Sequence, residues 1–159
     1  MEERLAVFLA EISAQFKEIL KIHSLIEKKA EELKRVPNNE DLIISLAYRL
    51  HNLYCAYEDM FKIIARFFEN QIEDFSKYHS TLLKRMQLDI EGIRPRLLSE
   101  ESFKILDELR GFRHVFRHAY SYELEHERVL KLADKASILK KLFQKDFETF
   151  KEKIKEEMK

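Results

Sequence analysis

The sequence predicts an all-α fold, an antiparallel up-and-down bundle of four to five helices. Three observations lead there. Only two Gly and two Pro occur in 159 residues, so the turns of hairpins, phosphate loops and βαβ units lack their usual residues. Charged residues make up 36% and hydrophobic ones 45%, with 12 Phe and no Trp, a balance that suits long amphipathic helices around a core and not disorder. Apolar residues also recur by threes and fours along most of the chain, the period of a helix face.

The first stripe is Leu5, Leu9, Ile12, Phe16, Ile19, His23, Ile26, Ala30 and Leu33, a helix of about 30 residues or roughly 45 Å. Val36-Pro37-Asn38-Asn39 ends it, and Asn38 or Asn39 can cap the next helix, with Glu40 and Asp41 at its positive end. The second stripe runs Ile43, Leu46, Leu50, Leu53, Tyr57, Met60, Ile64 and Phe67. Its phase continues weakly through Ile72, Phe75, His79, Leu82 and Met86, with a break or kink expected near residues 70–78 and a short helix near 78–89.

Asp89–Arg96 reads as a loop, since Pro95 disfavours a helical Arg94 and Gly92 supplies an end cap. Ser99 is the expected N-cap of the next helix, flanked by Leu98 and Phe103 at hydrophobic-staple spacing. That helix carries Leu106, Leu109, Phe112, Phe116 and Ala119 inward and ends within Tyr120–Glu125. Val129, Leu132, Ala136, Leu139, Phe143, Phe147, Phe150 and Ile154 mark the last helix. A sustained heptad could instead build an extended coiled coil, but the stops at Pro37, Pro95 and Ser99 favour folding back into one domain over residues 1–159.

Charge and cysteine content narrow the classes further. Twenty-nine basic residues balance 29 acidic ones, so no bulk attraction to polyanions is expected, although a local patch remains open. The single cysteine, Cys55, excludes an internal disulfide and a cysteine-based zinc site. No run approaches the roughly 20 apolar residues of a membrane span, and the acidic N-terminus lacks a signal-peptide pattern. A cytoplasmic protein without membrane attachment is expected.

The densest chemical constellation is Arg110-Gly111-Phe112-Arg113-His114-Val115-Phe116-Arg117-His118-Ala119-Tyr120; between Leu109 and Tyr122 there is no acid. On a helix, Arg110, Arg113, His114 and Arg117 share one face, and His118 lies one turn beyond His114. Guanidinium forks suit phosphate oxygens, and imidazole moves protons near neutral pH. A solvated basic face is the plain alternative. Against it, Arg113 falls on the stripe Leu106, Leu109, Phe116, where an apolar residue is expected, so it needs a partner, a ligand or an open cleft.

Other polar groups rank lower. Glu123-x-x-His126 resembles half of a di-iron site, but a bundle site needs a second such unit. Metal binding by His114 and His118 is opposed by the surrounding arginines. No metal and no cofactor are expected. His23 is expected to be a satisfied core histidine, Cys55 a buried small hydrophobe, and Tyr48, Tyr54 and Tyr57 packing residues with exposed hydroxyls.

Arg113-x4-His118-x-Tyr120 resembles the Arg-x4-His-x-Tyr motif of the HEPN superfamily, specifically of HepT-like ribonuclease toxins. Leu50-His51-Asn52-Leu53-Tyr54 with Glu58 and Phe61 is similar to that family's second-helix signature. Tyr78-His79-x-x-Leu82-Leu83-x-x-Met86 with Arg94-Pro95 is similar to its middle segment. The resemblance covers roughly residues 40–150. It implies a helical bundle that dimerises, with the motifs of both subunits at a shared cleft, and a metal-independent endoribonuclease. It further implies a nucleotidyltransferase antitoxin as partner, which in some pairs adenylylates the motif tyrosine, here Tyr120.

In the implied chemistry the RNA 2′-hydroxyl is the nucleophile, so the protein moves protons and stabilises a charged phosphorane. Arg113 and His118 are the expected catalytic pair, with the second proton-transfer role open to His118 of a partner subunit. Arg110, His114 and Arg117 are expected on the RNA backbone, and His51 and Glu58 behind them as orienting groups, Glu58 pairing with an arginine of the motif helix. The alternative class is a non-catalytic HEPN module, a substrate-binding or regulatory subunit of a nucleotidyltransferase. A purely structural adaptor leaves Arg113 unexplained.

Overall fold

The computed structural model describes residues 2–69, 79–118 and 124–157. Five helices follow in order: α1 (Glu2–Arg35), α2 (Glu40–Glu69), α3 (His79–Arg85), α4 (Glu100–Arg117) and α5 (His126–Glu157). Contacts between helices fix their directions. Phe8 at the start of α1 stacks on Phe67 near the end of α2, while His23 meets Tyr57 further along. α4 opposes α2, with Phe116 against Tyr48 and His51. α5 opposes both α1 and α4: Phe16 meets Phe147, Lys140 reaches Glu27, and Lys135 reaches Glu108. The result is an up-down-up-down all-α bundle with α3 packed against α2 and α4.

α2 touches every other helix, which explains why its buried set exceeds one stripe. Besides the expected residues from Ile43 to Ile64 it buries Ala47, Tyr54, Ala56, Glu58, Phe61 and Ala65, while Phe67 is only partly buried. The α5 stripe is buried throughout, from Val129 to Ile154. In α1 the periodic reading misplaces one contact: Phe8 is fully buried, whereas Leu5, Leu9 and Phe16 only flank the core. Two aromatic neighbours, Phe67 stacked at 4.3 Å and Phe68 edge-on at 5.2 Å, draw Phe8 inward.

The stop signals act locally with small differences. Asn39 caps α2 by accepting from the Leu42 amide at 3.1 Å, and Asn38 takes the left-handed conformation (φ 67°) that turns the chain. The short helix stops at Arg85, so Gly92 is not its end cap. Gly92 instead sits at φ 77° in a turn closed by mutual backbone bonds between Ile90 and Arg94. Arg94 is itself buried; its guanidinium donates to the carbonyls of Arg85, Leu88 and Pro95 and pairs with Glu69 at 3.3 Å. α4 closes at Arg117, with His118 as C-cap, ahead of the window expected for its end. Ile72, Phe75 and the break expected near residues 70–78, like Ala119, lie outside the described residues. Among the described residues no helix is long and apolar enough to cross a membrane.

The tyrosine reading needs correction. Tyr54 and Tyr57 are both fully buried, hydroxyls included, because α2 packs against all four other helices; of the three, Tyr48 alone is exposed. The Tyr57 hydroxyl lies 2.7 Å from His23 Nε2, which makes His23 a satisfied core histidine. Burial, reinforced by the Lys140 charge, holds the His23 imidazole down to about 3. Its native form is therefore neutral, and the unfolded chain binds the proton first as pH falls. His23 thus contributes stability above about pH 6.5 that is lost as the pH drops toward 3. Urea denaturation of wild type and His23→Gln should show the variant losing stability less steeply between these limits, the wild-type slope including up to about 1.4 kcal/mol per pH unit from this group. Parallel slopes would remove His23 as the acid-sensitive element.

Candidate functional site

α4 divides into two faces. Leu106, Leu109 and Phe112 are buried on one, and this fixes the rotation that turns Arg110, Arg113, His114 and Arg117 to the other. The N-terminus is anchored: Ser99 accepts from the Ser102 amide, and its own amide donates to Asp146 Oδ2 at 3.0 Å. A Lys135–Glu108 pair at 2.7 Å ties the outer side of α4 to α5. The helix runs through Gly111 without a break, and nothing lies within 4 Å of where a Cβ would stand there.

Arg110, Arg113, His114, Arg117, His118 and His79 line one open cleft of about 450 Å³. Six cationic or proton-transferring side chains face it and, among the described residues, no carboxylate lines it. A cleft of about 910 Å³ at the other end of the bundle mixes Arg4 and Arg94 with Asp89, Glu91 and Glu157, so size alone does not mark the site. Arg110 is partly neutralised by Asp107 at 2.9 Å. Arg113 is half-buried, while His114, Arg117 and His118 are exposed. The His114 and His118 rings are 4.5 Å apart.

Behind this cationic face stands a layer from α2. His51 stacks on Phe116 at 5.2 Å between ring centres, and its Nε2 is 3.8 Å from the Cys55 thiol. Burial first, then the Arg113 and Arg117 charges, hold His51 below its ordinary value, so it packs as a neutral ring. Cys55 is half-buried, not fully so, and lies against Arg113; burial pushes its thiol up and makes it inert. Arg113 Nε and His51 Nδ1 are buried without a hydrogen-bond partner among the described residues.

Glu58 departs from expectation. It is 5% exposed, and it pairs with His79 and Lys62 in place of an arginine of α4. His79 Nδ1 lies 2.7 Å from both carboxylate oxygens, and Lys62 Nζ lies 3.7 Å from one. The arginines of α4 turn toward the cleft because the core side of that helix is filled by apolar residues. α3 ends up beside α2 and presents His79 to the carboxylate. Sequence reasoning missed His79 as a functional side chain. Its signal was the Tyr78-His79 block, legible as a fold signature only, since no spacing rule links His79 to a glutamate 21 residues earlier.

The structure therefore brings Arg110, Arg113, His114, Arg117 and His118 to one cleft, with His51 and Glu58 beneath. Tyr120 and Glu123 lie outside the described residues. Among the described residues no group of three or more His, Cys, Asp or Glu could hold a metal ion. Chemically, the cleft can bind a polyanion through several guanidinium groups and exchange protons through imidazoles. Clustering of like charges around a half-buried Arg113 carries an energetic cost. Arg113→Met should consequently leave stability unchanged or raise it by up to about 1 kcal/mol, read as a higher midpoint in thermal melts; a loss of several kcal/mol would make Arg113 a structural residue.

A family model described as HepT-like protein matches residues 45–154, a span that takes in most of α2, all of α3 and α4, and nearly all of α5. Comparison with curated proteins and with solved structures finds no match. The family match runs through the whole layer that builds the cleft, from His51 and Glu58 to the cationic face of α4. With well over half of its length matched, the chain belongs to the HepT-like family and has the all-α, HEPN-like bundle.

Proposed function

We propose that this chain is a metal-independent endoribonuclease, the toxin of a HEPN and nucleotidyltransferase toxin–antitoxin pair. One observation carries the proposal: Arg113 and His118 border the same open cleft, with Arg110, His114 and Arg117 around them. RNA supplies its own nucleophile. His118 takes the 2′-hydroxyl proton as oxygen attacks phosphorus. Arg113, half-buried and positioned by α4, binds the non-bridging oxygens and stabilises the charge that grows on them. Arg110, His114 and Arg117 hold the flanking phosphates. His51, stacked on Phe116, and Glu58 stiffen the layer beneath. The products are a 2′,3′-cyclic phosphate and a 5′-hydroxyl.

The protein works as a homodimer in the cytoplasm, with RNA as substrate and a nucleotidyltransferase as antitoxin. Transfer of AMP to Tyr120, two residues past His118 in the sequence, adds negative charge that repels RNA. Co-expression with a neighbouring nucleotidyltransferase should add one AMP to the intact mass, absent in Tyr120→Phe; an unmodified protein would remove this mode of control.

Purified protein should cut single-stranded RNA in excess EDTA. His118→Ala should lose about 10²–10⁴-fold, and Arg113→Gln about 2–4 kcal/mol of transition-state stabilisation. Abolition by the chelator, or full activity in His118→Ala, would sink the mechanism. RNA binding without cleavage would instead make the chain a regulatory or substrate-binding subunit of the nucleotidyltransferase.

A further inference from the structure

Strand cleavage through the 2′-hydroxyl needs two proton-transfer groups: one to accept the nucleophile's proton and one to protonate the leaving 5′-oxygen. We propose that His79 is the second of these, a general acid supplied by the same chain as His118; this rests on the nuclease reading. His79 lines the cleft with Arg113 and His118. Its Nδ1 is held 2.7 Å from both oxygens of Glu58. A carboxylate accepts only, so Nδ1 carries hydrogen and donates, which leaves Nε2 as the nitrogen that exchanges protons. Glu58 is buried on α2 and tied to Lys62, so the imidazole is oriented from the core and not by the cationic helix.

The groups facing His79 divide the two roles. From α2 it meets Glu58, which Lys62 also pairs with, and across the cleft from α4 stand Arg110, Arg113, His114, Arg117 and His118. The imidazole held by the carboxylate stands on α3 and His118 stands at the end of α4 among the guanidinium groups, so the two proton-transfer roles fall to different helices across one cleft. His114 is a weaker choice for the acid, because its ring lies 4.5 Å from that of His118 on adjoining turns and, among the described residues, no carboxylate lines the cleft beside it. In the step itself the 2′-oxygen forms its bond to phosphorus and its proton passes to His118. The bond from phosphorus to the 5′-oxygen breaks, and that oxygen takes the proton from His79 Nε2. Solvent then restores both imidazoles, so protons balance without any further reactant.

Leaving-group chemistry tests this directly. A uridine–adenosine dinucleotide needs its departing 5′-oxygen protonated, whereas uridine 3′-(4-nitrophenyl phosphate) releases a stable phenolate that does not. His79→Asn keeps an amide N–H for Glu58 but has no Nε2. It should lose about 10²–10⁴-fold on the dinucleotide and little on the nitrophenyl ester, while His118→Ala loses on both. Glu58→Gln, a second variant that retains hydrogen bonding, should show a smaller loss with the same selectivity. Thermal melts of both variants check folding. Equal losses on the two substrates, or no loss on the dinucleotide, overturn the assignment of His79 alone. Wild-type protein that cleaves neither substrate overturns the nuclease reading, and the assignment with it.

Discussion

Burying the carboxylate of Glu58 in the middle of α2 costs desolvation energy that only close donors or cations offset, and His79 and Lys62 supply both. That requirement links α3 to α2. It also decides which element completes the cleft, because the side chain that satisfies Glu58 is the one that faces the guanidinium groups of α4. At its other end α3 is held by buried Leu82 and Leu83 and by the Arg85–Glu69 pair at 2.6 Å, so the Glu58 contact fixes its N-terminal end.

The cleft is a region where the fold gives up local stability. Five basic or imidazole side chains of α4 crowd one face, balanced in part by Asp107 on Arg110. The opposite face is secured by Leu106, Leu109 and Phe112 in the core and by the Ser99–Asp146 anchor. The aromatic layer of Phe143, Phe147 and Tyr57 between α1, α2 and α5 lies away from this strip. Packing therefore supplies the rigidity, and the cationic face can be shaped by what it binds. Arg94 contrasts with the half-buried Arg113: it is fully buried and bonds to three carbonyls and Glu69. Arg94 is a structural tie, its two terminal nitrogens both bonded within the fold, whereas Arg113 lines the open cleft.

Much of this was legible along the chain. Helix number, the stops after α1 and before α4, the capping roles of Asn39 and Ser99, and the α5 stripe all follow from local rules of period and capping. Those rules failed where several helices compete for one surface. Tyr54 and Tyr57 were expected to keep wet hydroxyls because a single stripe has a broad wet margin, and four neighbouring helices narrow that of α2 to residues such as Ile44 and Tyr48. Phe8 replaced its neighbours in the core through contacts with Phe67 and Phe68, whose position depends on the pairing of α1 with α2.

The sequence by itself determined the helices and the cationic strip of α4, because helical period and side-chain charge are properties of neighbouring residues. It also carried the motif residues Arg113, His118 and Tyr120 in order. Only the tertiary structure decided that Glu58 faces His79 and not an arginine, and that His79 joins the cleft. Such a pairing depends on the angle and depth at which three helices pack. Those are set by the volumes of the side chains between them, which no spacing along the chain encodes.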